Sequence, residues 1–269
     1  MDSTRMTRIF ADFFILFLLI FLLYNSLFAQ ELNRFPALSN YSKWSIVAGP
    51  ALYSKAKLYP QYGDYTFDNK LIWSFNAGIE YDLIPDGKWS FTTGILMGFE
   101  PVYNIRYRIK EEDIYPEYTE DCTGDAKMYA NPSFSFPLLA RLNIQVNDKT
   151  FAYFTAGLRA LYFPSGEAEF TLRLSSPELD ESREVFGIRL YSPENELQGS
   201  FVIGTGIMLP VKRILLKSSL KYTINFQNII EGEYLFDNLF VSPDSRGEYE
   251  LSGNYLALMV SLSFSRRNN

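Results

Sequence analysis

The chain has 269 residues, 47% of them apolar and 17% aromatic, and its 25 basic and 31 acidic side chains leave a formal charge of −6. That balance speaks against nucleic acid as a partner, which calls for a basic footprint. Histidine does not occur, which removes Ser-His and Cys-His nucleophilic pairs, His-containing zinc sites and His-ligated haem; no cofactor is expected, and paired carboxylates or Ser-Lys survive as formal routes to catalysis.

The first element is a targeting signal. Arg5 and Arg8 precede an apolar run from Phe13 to Tyr24, then Leu27-Phe28-Ala29 before Gln30: a basic start, an apolar middle and a small residue at the cut. Cleavage is expected after Ala29, with an uncleaved anchor as the alternative, although the run is short of the ~20 residues of a spanning helix. Gln30 stands where a lipoprotein needs Cys. Residues 30–43 are then a periplasmic N-terminal segment. The single cysteine, Cys122, lies in the polar stretch YTEDCTGD and reads as a loop bystander.

Eight segments alternate with period two: Trp44–Tyr53, Trp73–Leu83, Trp89–Val102, Phe134–Val146, Phe151–Phe163, Ser200–Leu209, Ile214–Gln227 and Tyr255–Ser265. At ten to fourteen residues they exceed the usual strand of about five or six and suit a membrane span of about 9–11. No apolar run after residue 29 approaches a helical span, so a membrane form must be a closed barrel. Short turns at 84–88, 147–150 and 210–213 alternate with long connections at 54–72, 103–133, 164–199 and 228–254. This places every long loop at one end and both termini at the other, the external and periplasmic ends of an outer-membrane barrel. The expected fold is an all-β, eight-stranded antiparallel up-and-down transmembrane barrel over 44–265, with a tail at 266–269. Within the loops, 103–109, 168–174 and 185–191 also alternate, so strands project beyond the bilayer as hairpins.

One face of each strand is apolar. Leu216, Leu220, Tyr222, Ile224 and Phe226 oppose Lys217, Ser219, Lys221, Thr223 and Asn225, and Phe75, Ile79 and Tyr81 oppose Asn76, Gly78, Glu80 and Asp82. A soluble barrel would alternate too. The polar face, however, carries Gly78, Gly94, Gly98, Gly157, Gly204 and Gly206, which suits a crowded narrow lumen. Trp44 and Trp89 at the short-turn end and Trp73 at the long-loop end, joined by Tyr53, Tyr162, Phe163 and Tyr255, suggest two aromatic girdles. The apolar face is therefore expected to meet lipid.

These strands, the signal ending Leu27-Phe28-Ala29 and the final YLALMVSLSF of 255–264 resemble the small outer-membrane β-barrel domain family that includes PorT-like and OmpA-transmembrane-domain-like barrels. The resemblance spans residues 40–265 and rests on pattern. It implies a bacterial outer-membrane protein, a role in a secretion or surface-assembly system, and Phe264 as the aromatic read by the assembly machinery, here followed by five further residues.

An eight-stranded barrel encloses only its own side chains. Counted from the turns at about 3.3 Å per residue, Glu80, Arg141 and Lys217 share a lower level, and Glu100, Arg159 and Lys221 an upper one, so they are candidates for a plug of ion pairs or for a gated proton or ion path. The long loops hold 23 acidic and 11 basic residues. Runs such as Glu111-Glu112-Asp113 and Glu178–Glu181 offer oxygens for divalent cations or are merely solvated. Tyr115, Tyr118, Tyr234, Phe236 and Phe240 could instead form a patch for a protein or glycan. The expected function is non-enzymatic, as an envelope scaffold or binder of a partner through the loops; a narrow pore and, last, an outer-membrane enzyme are the alternatives.

Overall fold

Alternation of apolar and polar residues builds a two-faced wall, and closing it leaves no edge exposed to lipid. The computed structural model describes residues 34–118, 123–176, 181–193 and 196–266. The signal segment, Cys122 and residues 178–180 lie outside the described residues. After a short helix α1 (Pro36–Ser39), the strands are β1 (Trp44–Tyr53), β2 (Lys57–Tyr62), β3 (Asp68–Asn69), β4 (Ile72–Asp82), β5 (Trp89–Arg108), β6 (Thr123–Asn147), β7 (Thr150–Tyr162), β8 (Glu167–Ser176), β9 (Glu181–Tyr191), β10 (Leu197–Val211), β11 (Ile214–Asn225), β12 (Ile230–Phe236), β13 (Ser245–Leu251) and β14 (Tyr255–Phe264).

Eight of them close into an antiparallel barrel, β1-β4-β5-β6-β7-β10-β11-β14 and back to β1. The registers run without slip where a strict alternation demands it, as in the twelve consecutive pairs from Ser200↔Asn225 to Val211↔Ile214. That hairpin turns on Lys212, which sits at φ 52°. Outward residues such as Ile46, Phe75, Ile79, Ile95, Phe154, Ile203, Leu220 and Leu258 are exposed, forming the apolar belt of a transmembrane barrel. Trp44, Trp73 and Trp89 all point outward, Trp44 and Trp73 about 60% exposed. Tyr53, Phe163 and Tyr255 do not join the girdles. Each falls on the inward parity of its strand and is buried, and Tyr53 packs on Tyr255 with ring centroids 4.7 Å apart.

Both ends of the barrel are filled. At the short-turn end, residues 34–43 fold back into the mouth: Leu38 and Tyr41 pack on Phe151, Tyr153, Met208 and Leu215, and the Phe35 ring meets that of Phe151 edge-on. Beyond the other rim, β5 and β6 continue as a tall hairpin. Register shifts between Phe99/Pro101 and Pro101/Tyr103, at a proline that cannot donate to the ladder, invert the strand's faces. Below them Gly98 and Glu100 point inward; above them Tyr103 and Ile105 do.

The long connections are thus folded, with strands where 103–109, 168–174 and 185–191 alternate, in β5, β8 and β9. β2-β13-β12-β9-β8 form a second, five-stranded sheet, and the tops of β5 and β6 with β3 form a layer facing it. Between the layers lies the largest core of the molecule, with Tyr103, Ile105, Phe163, Phe186, Ile188, Tyr234, Phe236 and Tyr249 all buried. Phe186 stacks on Phe236 at 4.5 Å, Tyr107 meets Phe186 at 5.6 Å across the layers, and the Tyr249 hydroxyl donates to the Val102 carbonyl at 2.9 Å.

Candidate functional site

The lumen holds the charges that the strand pattern singled out, in pairings that differ from simple depth counting. Asp82, the last residue of β4, is the hub of the lower level. Arg141 Nη1 lies 3.0 Å from its Oδ1 and Lys217 Nζ 2.6 Å from its Oδ2, and the Thr92 hydroxyl donates to it at 2.6 Å. Arg141 is held further by Ser90 and Asn143, and its guanidinium lies 5.6 Å from the centre of the Tyr153 ring. Asn143 in turn donates to the Gly87 carbonyl of the first short turn at 2.8 Å. Glu80 therefore makes its ion pair with neither Arg141 nor Lys217; it accepts from Lys221 at 2.8 Å and from Ser261 at 3.2 Å. Asp82 shares the polar face of its strand with Glu80, and the depth count, which pairs only Glu80 and Glu100 with the lumen cations, leaves it out.

At the upper level Arg159 and Glu100 are both buried, but among the described residues neither forms an ion pair. Arg159 donates to the Tyr255 hydroxyl at 2.6 Å, to Ser200 at 2.9 Å and to Asn225 at 3.2 Å. Glu100 accepts from Ser133 at 3.0 Å through one oxygen. Hydroxyl and amide groups here do the work that the depth count assigned to a carboxylate. Between the levels remains a cavity of about 30 Å³ bordered by Asn76, Leu139, Arg159, Lys221, Tyr255 and Met259, room for about one water. Glycine makes this crowding feasible: a Cβ on Gly206 would stand 2.5 Å from the Tyr153 ring.

Phe264 ends β14 with its ring exposed toward the belt, opposite Ile214. The residues after it are tied down: Ser265 bridges to Tyr41, and the Arg266 amide donates to the Asn40 carbonyl at 2.8 Å.

The outer sandwich has its own polar pin. Glu111-Glu112-Asp113 form a single 3-10 turn that directs Asp113 inward. Its carboxylate accepts from the Tyr65 hydroxyl, from the Ser242 amide at 2.6 Å and from the Ser242 hydroxyl at 2.9 Å, while its carbonyl accepts from the Phe240 amide. Burial alone would raise the Asp113 pKa; the hydrogen bonds from Tyr65 and Ser242 outweigh it and hold the carboxyl below its ordinary value. Burial, then the bond to Asp113, pushes Tyr65 up to about 12. Among the described residues no group of three or more acidic side chains is placed to hold a metal ion. Of the aromatic residues read as a patch, Tyr118, Tyr234 and Phe236 are buried in the core, whereas Phe240 is exposed and packs its ring edge on Tyr115, over which the Arg183 guanidinium sits at 4.5 Å.

A scan against known protein families finds no match, and neither does a search of curated proteins. Among solved structures the chain is similar to Neisserial surface protein A (9% identity, TM-score 0.35, covering 84% of this chain and 99% of that one). It is also similar to the outer membrane protein OprG from Pseudomonas aeruginosa (12%, 0.39, 84% and 98%) and to Ail, the attachment invasion locus protein of Yersinia pestis (15%, 0.24, 81% and 99%). All are small outer-membrane barrels, and at these identities and TM-scores the likeness extends to none of their activities.

Proposed function

We propose that this is a non-enzymatic protein of the bacterial outer membrane whose barrel anchors a folded β-sandwich outside the cell, where it binds a protein or glycan partner. The termini are periplasmic in this reading. The observation that carries it is the sandwich core: loops that only sealed a barrel would not need a five-stranded sheet packed on a tall hairpin through more than twenty buried apolar residues. A rigid surface lowers the ordering cost of binding. A role in secretion or surface assembly, as the PorT-like resemblance implies, is the finer form of the same proposal.

The narrow-pore alternative has the geometry against it, because the ion-paired lumen is capped above by the apolar core and below by residues 34–43. Two measurements test the reading. Photo-crosslinking groups placed in intact cells at Tyr59, Tyr191 and Val241, all exposed on the sandwich, should form adducts with another macromolecule, whereas one at lipid-facing Ile79 should not. Failure at all three sandwich positions would sink the binding role. Purified protein in planar bilayers should give no stepwise conductance; regular steps would restore the pore.

A further inference from the structure

The two outer faces of the sandwich carry opposite charge. On the five-stranded sheet the side chains that point away from the core include Glu167 and Glu169 of β8, Glu231 and Glu233 of β12, and Glu248 and Glu250 of β13, against Lys57, Arg189 and Arg246. The Arg173–Glu184 pair at its upper margin cancels itself. Six glutamates against three cations leave this face at −3. On the opposite layer, Lys70, Arg106, Arg108 and Lys127 stand with Asp68 and Asp125, four cations against two anions, for +2. Lys70 and Arg106 share Asp125, at 2.6 and 3.7 Å, and among the described residues Arg108 forms no ion pair.

The acidic face is arranged at a cost to the fold. Glu231 stands directly opposite Glu250, and Glu233 directly opposite Glu248, on adjacent strands; like charges so placed destabilise a sheet, and the sheet's own cations answer them in part, Arg246 pairing with Glu233 and Lys57 standing opposite Glu250. An opposing cationic surface relieves both pairs at once. The core between the layers puts the acidic and basic faces on opposite sides of the same body. In one membrane all copies stand the same way up, so the contact open to them is side to side, with the acidic sheet of one copy against the basic layer of the next.

We propose that a second copy of this chain docks on the acidic sheet through its β3-β5-β6 layer, in a head-to-tail contact that closes into a ring or extends as a row in the membrane plane. The inference rests on the binding role proposed above and names the partner. A face of five strands at about 4.8 Å spacing and about seven residues at about 3.3 Å covers roughly 450 Å², and because the three-stranded layer that meets it is narrower, the two copies together bury at most about 900 Å². That is the size of a weak, transient contact, for which confinement to a membrane supplies effective concentration, and it must be sensitive to salt.

The test uses the full chain in two pools, carrying a donor or an acceptor dye on a C-terminal tag, co-reconstituted in phosphatidylcholine vesicles. Energy transfer should be present at about 20 mM salt and fall roughly tenfold at about 1 M, where the screening length shrinks to about 3 Å. Glu231→Lys with Glu248→Lys turns the acidic face from −3 to +1 and replaces each glutamate pair by an ion pair, so this variant should unfold no earlier than the native chain. Arg108→Glu with Lys127→Glu, whose cross-strand neighbours Thr123 and Asn104 are uncharged, turns the basic face from +2 to −2. Each variant alone should lose transfer, and the two mixed should recover it. No transfer for the native chain, transfer retained by either variant, or no recovery on mixing overturns the self-docking. Sandwich crosslinks to some other macromolecule in cells would then leave the binding role standing, whereas their loss would end both.

Discussion

Asp82 and Arg141, 59 residues apart in the chain, meet inside the barrel with three nitrogen–oxygen contacts of 3.0 to 3.2 Å, and Lys217 closes on the same carboxylate from β11. One carboxylate thus neutralises two buried cations, while Glu80 serves Lys221. Removing one partner of a buried pair strands its charge at a cost of about 3–5 kcal/mol. Asp82→Ala should therefore lower the thermal unfolding midpoint in detergent by roughly 10 °C, taking about 2–4 °C per kcal/mol for a chain of this size. Glu80→Ala should cost less, since it strands a single lysine. Equal midpoints for native and Asp82→Ala protein would show that the lumen is wet enough to solvate both cations.

A second expectation concerns pH and the outer sandwich. The Asp113 pKa is depressed in the folded protein, so its contribution is present above the ordinary aspartate pKa and is lost as pH falls below it. Tyr65 is pushed up to about 12; its contribution is present below the ordinary tyrosine value of about 10 and is lost as pH rises toward 12. Limited proteolysis of the loops should be slowest between these limits. Tyr65→Phe should abolish this tyrosine's share of the alkaline loss and leave a loss of roughly 1–3 kcal/mol at neutral pH, the cost of an unmet buried acceptor. An unchanged alkaline limb in Tyr65→Phe would show that the pin does not hold the sandwich.

Orientation of the wall gives a third. Ile79 faces outward two residues from Tyr81, which pairs with Trp44 of the short-turn girdle, and its neighbour Glu80 faces the lumen. Arginine on the lipid face costs about 2–4 kcal/mol at the bilayer midplane and about 0–1 kcal/mol near the interfaces. Ile79→Arg should lower folding stability by an amount between these in lipid vesicles; a wall facing water would tolerate it.

The barrel was legible because its wall obeys one rule in every strand: period two, interrupted at short turns of four or five residues. Beyond the rim the projecting strands were legible from the alternation of 103–109, 168–174 and 185–191, but the core they enclose was not, and Tyr103 shows why. Its parity is set by the shifts around Pro101, so the apolar face of β5 changes sides midway and a single alternation cannot be read through it. Charge hid the rest, since Glu231, Glu233, Glu248 and Glu250 read as solvated loop while the residues between them, Gly232, Tyr234, Gly247 and Tyr249, face a core. Composition revealed which side chains share the lumen, but partner choice depends on stagger between strands, which put Lys221 rather than Lys217 beside Glu80.

The lower mouth supports a last prediction. Leu38 is fully buried, with Tyr41 beside it, on Phe151, Tyr153, Met208 and Leu215. Leu38→Ala should cost about 2–5 kcal/mol if the segment is packed as a core element. Deleting residues 30–43 removes that layer entirely and wets Phe151, Met208 and Leu215, so stability must fall further. Conductance should nonetheless stay at baseline, because Arg141, Asp82 and Lys217 fill the next level up and the sandwich core closes the far end. Planar-bilayer recording of the deletion variant checks this. Open steps would identify residues 34–43 as the sole barrier, and would make the ion-paired level a lining rather than a plug.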